Sequence, residues 1–113
     1  MPQLERLWLY MRLWDFEAVD WDDEEDEGGN LVHCLAHGVD ECVVDQVLGA
    51  EPVEIKMAVK SAEIALVGPD LGGTMWTLLF DWSFKRGDWL RPVTGWRSEA
   101  PEINEWARGR GRR

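Results

Sequence analysis

The twelve residues Asn30-Leu31-Val32-His33-Cys34-Leu35-Ala36-His37-Gly38-Val39-Asp40-Glu41 hold a helix, its stop and the start of a second helix. On the first helix Asn30, His33 and His37 fall at i, i+3 and i+7, so they are expected to line one face while Leu31, Cys34 and Leu35 point elsewhere. Gly38 supplies the left-handed residue that ends such a helix at low cost. Asp40 is placed to cap the next helix, with Val39 before it and Val44 after it forming a hydrophobic staple. Val43, Val44, Val47 and Leu48 make the apolar stripe of that second helix, and Gly49 and Pro52 close it.

Outward from this block the pattern changes from helical to extended. On the N-terminal side Leu7, Leu9, Met11 and Leu13 alternate with Trp8, Tyr10, Arg12 and Trp14, the two-residue period of a strand, and an acidic connection over 20–29 follows. On the C-terminal side Val53, Ile55, Met57 and Val59 alternate with Glu54, Lys56 and Lys60, which predicts a half-exposed strand. Ala62 to Val67 is a further strand, ended by the turn signal Gly68-Pro69-Asp70-Leu71-Gly72-Gly73. Met75 to Trp82 reads as a central strand with Trp76, Leu78, Phe80 and Trp82 on one face. Lys85-Arg86-Gly87-Asp88 reads as a hairpin turn into a last strand, Trp89 to Thr94, where Pro92 signals an edge. Pro101, Glu102, Ile103 and Trp106 fit a short C-terminal helix whose end frays into Arg-Gly-Arg-Gly-Arg-Arg. The order predicts an α+β domain: a single antiparallel sheet of three to five strands, with two helices from the N-terminal half and one C-terminal helix packed against it. Residues 1–107 form one domain in this reading and 108–113 a basic, flexible tail.

A chain of 113 residues is long enough to bury a core without disulfides or metal. Its net charge of -10 argues against finding nucleic acid by electrostatic attraction, because that requires Lys and Arg to displace counterions from phosphates. The charge is uneven, with acids at Asp20 and from Asp22 to Glu27 and arginines at 108, 110, 112 and 113. The acidic run reads as a solvated loop. Cys34 and Cys42 read as reduced, buried thiols. The apolar stretch from Leu7 to Trp14 is broken by Arg12 and runs into acids, which is wrong for a signal peptide and too short for a membrane span, so a cytoplasmic protein with no membrane contact is expected. The eight tryptophans fall on strand faces or beside turns, as core and rim residues rather than base-stacking platforms.

The Asn-x-x-His-x-x-x-His-Gly-Val block, the acidic valine-rich helix after it, the strands, and Pro92-Val93-Thr94-Gly95 before a charged terminal helix together resemble the BrnT family of bacterial type II toxins. The resemblance covers about Trp21 to Trp106. It implies a small toxin of RelE-like fold that cleaves RNA without a metal and is held inactive by a ribbon-helix-helix antitoxin. Carried onto this chain, the family's helix-terminal histidine falls on His37, and the preceding Asn and His on Asn30 and His33. A glutamate common in the family's first long strand falls on Glu63, although the arginine that usually follows is Ile64 here. Where the family tends to read Thr-Ala-Arg after the last strand, this chain has Thr94-Gly95-Trp96, with Arg97 one residue late. The connection before the first helix is lengthened by the acidic run.

Metal-free RNA cleavage needs a base for the 2′-hydroxyl, an acid for the leaving oxygen, and cations for the developing charge. His33 and His37 are the acid–base candidates, Glu63 accompanies them, and Arg91, Arg97, Lys85 or Arg86 are the cations. Each also has a plain structural reading: a histidine in a helix's last turn is favoured by the dipole, and surface arginines form ion pairs worth little. The His33–His37 spacing suits a zinc pair, yet there is no His-Glu-x-x-His motif. A third ligand would have to come from the acidic loop or Cys34, so neither metal nor cofactor is expected. Neither thiol sits in an electropositive setting that would make it a nucleophile. Gly68 to Gly73 lacks the Lys-Ser/Thr pair of a phosphate loop, and no small-molecule ligand is expected. Two functions stand side by side: a BrnT-like RNA endonuclease or a catalytically weakened relative, and a non-enzymatic acidic protein-interaction module that retains the fold.

Overall fold

The computed structural model describes residues 18–56, 62–85 and 87–111. In chain order they form β1 (Ala18–Val19), α1 (Asn30–Ala36), α2 (Glu41–Gly49), β2 (Val53–Ile55), β3 (Ile64–Pro69), β4 (Met75–Trp82), β5 (Trp89–Arg97) and α3 (Ala100–Gly111). The strand expected from Leu7 to Trp14, and the part of the Val53 strand beyond Lys56, lie outside the described residues.

The five strands make one sheet in the order β1-β5-β4-β3-β2. From β2 to β5 the neighbours are antiparallel, as the run of short connections requires. The sheet as a whole is mixed, not antiparallel as expected, because β1 joins β5 in parallel through Ala18↔Trp89 and Val19↔Leu90. The physical reason is that β1 and β5 are far apart in sequence, with the acidic connection, two helices and three strands between them, so no hairpin forces them antiparallel. At two residues it is also too short to show any alternation. Asp20 N donates to Leu90 O at 2.7 Å and ends the pairing. Pro92 falls just past that end, where among the described residues β5 has no strand on its β1 side to need an N–H, and a bulge between Leu79 and Phe80 on β4 takes up the extra residue of β5.

Alternation on β3 and β4 sends side chains to two cores. On one face Ile64, Leu66, Trp76, Leu78, Phe80 and Leu90 pack with Cys34, Val39, Val44 and Val47 of the α1–α2 region. On the other face Ile55, Ala65, Val67 and Leu79 pack with Val93, Trp96 and Trp106, the last from α3. The helices therefore lie on opposite faces of the sheet. Gly95 permits the close approach of α1–α2: a Cβ there would lie 2.7 Å from Leu78 Cδ2 and 3.2 Å from Val39 Cγ2. Gly109 does the same for α3, where a Cβ would collide with the Val53 side chain. With that seat against β2, the helix continues through Gly111 instead of fraying at Arg108.

The junction between α1 and α2 has the geometry its sequence implies. Gly38 has φ of 81°, Val39 N donates to Cys34 O at 2.9 Å and Gly38 N to Leu35 O at 3.0 Å, the paired bonds of a Schellman stop. Asp40 accepts from Val43 N at 2.8 Å, and Val39 and Val44 share one core cluster. At the far end of α2 the left-handed residue is Glu51 (φ 52°) rather than the expected Gly49, which remains in the last helical turn. Among the described residues no helix is long and apolar enough to cross a membrane.

Candidate functional site

Asn30 opens α1 and is buried, unlike the two histidines with which its spacing groups it. Its side chain ties three segments together. Nδ2 donates to Asp20 O and to Pro92 O, both at 2.9 Å, and Oδ1 accepts from Asp22 N at 2.8 Å. Both amide hydrogens and the side-chain oxygen are engaged inside the fold, which makes it a latch between the acidic connection, α1 and β5. The expected common face of Asn30, His33 and His37 is therefore split, because α1 buries Asn30, Leu31 and Cys34 against the sheet.

Asp22 is the partner of that latch and was hidden in the acidic run. The N-cap of α1 is Gly29, which has no side chain to offer, and Asp22 Oδ2 accepts from Asn30 N at 2.9 Å in its place. A carboxylate there also meets the positive end of the helix dipole. The same carboxylate grips Arg91 in a two-pronged pair, at 3.0 Å to Nη1 and 2.6 Å to Nη2. The Arg91 guanidinium and the Asn30 backbone N–H hold the Asp22 carboxyl down at about 2, from an ordinary 3.8. Arg91 is raised in turn, chiefly by its hydrogen bonds to Asp22. Asp20 lies 3.6 Å from Arg91 and accepts from Ser83 Oγ at 2.7 Å. Asp20 and Asp22 thus belong to the fold, while Asp23 to Glu27 stay exposed in a loop turned by Asp23 and Asp26, which accept from Glu25 N and Gly28 N.

His33 and His37 project from the outer side of α1, both exposed, with ring centroids 4.8 Å apart and planes tilted by 54°. His37 is the C-cap, and its backbone N–H rather than its ring closes the helix end, on Cys34 O at 3.0 Å. Arg91 stands in register with Asp81 on β4, and strand parity starts its side chain on the face opposite that of Leu90, but its guanidinium ends on Asp22 at the N-terminus of α1. Glu63 lies in the same cross-strand row: its N–H donates to Asp81 Oδ1 at 2.9 Å, and its carboxylate accepts from Trp82 N at 3.4 Å. Arg97 stands opposite Trp76, which packs in the α1–α2 core, so it is exposed on the face that carries the histidine helix. Val39, just past α1, sits beside Gly95, two residues before Arg97.

The five residues singled out by sequence therefore fall into two groups. His33, His37 and Arg97 lie on one face of the sheet; Glu63 and the backbone position of Arg91 belong to a cross-strand row on the other, while the Arg91 guanidinium is held by Asp22 at the N-terminus of α1. Among the described residues neither histidine hydrogen-bonds or ion-pairs with either arginine. Lys85 is exposed in the β4–β5 connection, and Arg86 lies outside the described residues. Cys34 is fully buried in the core, and burial pushes its thiol up to about 11, while Cys42 is exposed rather than buried as expected. Among the described residues no three His, Cys, Asp or Glu side chains converge to hold a metal. Comparison of the chain with protein-family models, curated proteins and solved structures finds no significant match.

Proposed function

We propose that the protein is the toxin-type half of a BrnT-like toxin–antitoxin pair, in a catalytically weakened form that works through its partner protein. The observation that carries the weakened form is Arg91, whose guanidinium is bound by Asp22 and approached by Asp20. An arginine neutralised in this way cannot offer its charge to a phosphate without breaking the α1 latch. His33 and His37 retain access to solvent for acid–base work, and among the described residues Arg97 is the arginine of the expected set that is exposed on their face of the sheet. With Arg91 held by Asp22, in a chain of net charge -10, both phosphate binding and stabilisation of the developing oxyanion are weakened. A cytoplasmic location accompanies this reading.

The partner that fits is a ribbon-helix-helix-type antitoxin, since a DNA-binding protein carries basic surface. The exposed acids from Asp23 to Glu27 would speed and orient that encounter. Expression of the chain alone at high level is expected to leave cellular RNA largely intact and growth only mildly slowed. Co-expression with a ribbon-helix-helix protein encoded in an adjacent gene should yield a complex that co-purifies. Strong growth arrest with fragmented RNA, relieved by His37→Ala, would restore the full nuclease. Absence of both arrest and complex would overturn the pair altogether.

The non-enzymatic module is the second reading, favoured by one further observation: among the described residues the carboxylates of Asp23 to Glu27 form no ion pair, although Asp22 beside them fixes the base of their loop. A loop whose base is already ordered loses less entropy on binding. In that case a basic protein is captured by the loop with no toxic effect at any expression level.

A further inference from the structure

We propose that His33 and His37 form a two-histidine chelate for a borderline transition-metal ion such as Zn2+ or Ni2+, with the remaining coordination positions open. The inference rests on ring geometry and is independent of the toxin reading. A histidine nitrogen binds zinc at about 2.0–2.1 Å, which puts the ion about 3.2 Å from each ring centroid once the radius of the imidazole ring is added. Two centroids 4.8 Å apart then subtend an angle of about 97° at a shared ion, between the octahedral and tetrahedral values. The rings already stand at that separation, so turning one nitrogen of each toward a shared ion calls for side-chain rotation and not for a change of helix.

Three surroundings favour a cation there. Both rings are exposed, so an ion has a path of entry. The C-terminal end of α1, where His37 is the cap, carries the negative pole of the helix. The exposed acids from Asp23 to Glu27 lie shortly before the same helix in a chain of net charge -10, which raises the local concentration of cations. Cys34 does not complete the set: it is buried on the other side of α1, and its thiol is held protonated. Water or an incoming ligand would fill the open positions. An ion joining residues one turn apart also braces a helix of only seven residues, so binding should raise the unfolding temperature.

The test is titration calorimetry of the metal-free chain with Zn2+ and Ni2+, paired with thermal unfolding in the same salts and after chelator. The expected result is one ion per chain, a rise of several degrees in Tm reversed by chelator, and an affinity at least ~10-fold lower in His33→Gln and in His37→Gln. Far-UV circular dichroism establishes that both variants keep the fold. Imidazole binds a metal only when neutral, so the wild-type affinity should also fall on acidification. Cys42→Ser should leave the affinity unchanged. Binding that survives both histidine variants, binding abolished by Cys42→Ser, or no binding at about 100 µM ion would each overturn the proposal.

Discussion

Asp22 shows how one carboxylate can be assigned to two jobs by its surroundings. It caps α1 in place of the glycine at the N-cap, and it pins Arg91 to the start of that helix. Because its folded-state pKa is depressed to about 2 from 3.8, the stability it contributes is fully present above about pH 4 and is lost as the pH falls toward 2. The shift converts to about 1–2 kcal/mol after a discount for solvent around a partly exposed pair. Urea unfolding of the wild type and Asp22→Asn at a series of pH values should show the two curves converging by about that amount between pH 4 and 2. Equal pH slopes for the two proteins would mean the Asp22–Arg91 pair does not hold the fold. This role was not legible in the sequence, where Asp22 is one acid among several. Only the missing side chain at Gly29 hinted that α1 needed a cap from elsewhere.

Among the elements, the α1–α2 corner was the most legible, because each of its signals acts over a few residues: Gly38 for the stop, Asp40 for the cap, and Val39 with Val44 for the staple. The strand Met75–Trp82 was equally plain, since its alternation separates two buried faces that differ in composition. β1 and the face of Asn30 were not legible. Both depend on partners about seventy and sixty residues away, and no local period encodes such pairing. Asn30 should behave accordingly as the joint between elements. Asn30→Ala strips partners from Asp20 O, Pro92 O and Asp22 N at once, and is expected to cost about 2–3 kcal/mol in chemical unfolding. A loss below about 0.5 kcal/mol would show that the latch is relaxed in solution and that Asn30 is free for another task.

For the whole molecule, the sheet order separates charges that the sequence shows only as two runs. The acidic loop leaves β1 at one edge of the sheet, and the arginine-bearing end of α3 lies against β2 at the other. Arg110 there stacks 5.9 Å over Trp106 and lies 3.9 Å from Glu51, an exposed pair that adds little stability. The same order divides the candidate site, leaving His33, His37 and Arg97 on the α1 face and Glu63 in a row on the α3 face, with the Arg91 guanidinium drawn to Asp22 at the start of α1. The sequence motif named candidate residues but not where they would stand, because that follows from strand parity and from the grip of Asp22 on Arg91.

The central claim, a histidine pair deprived of its arginine, is tested most directly by incubating the purified protein with single-stranded RNA in chelator and following the fragments with time. The expected result is slow cleavage or none, little altered by Arg91→Lys, with any residual activity lost in Arg97→Ala. Rapid cleavage that disappears in both His37→Ala and Arg91→Lys, while circular dichroism shows both variants folded, would contradict it.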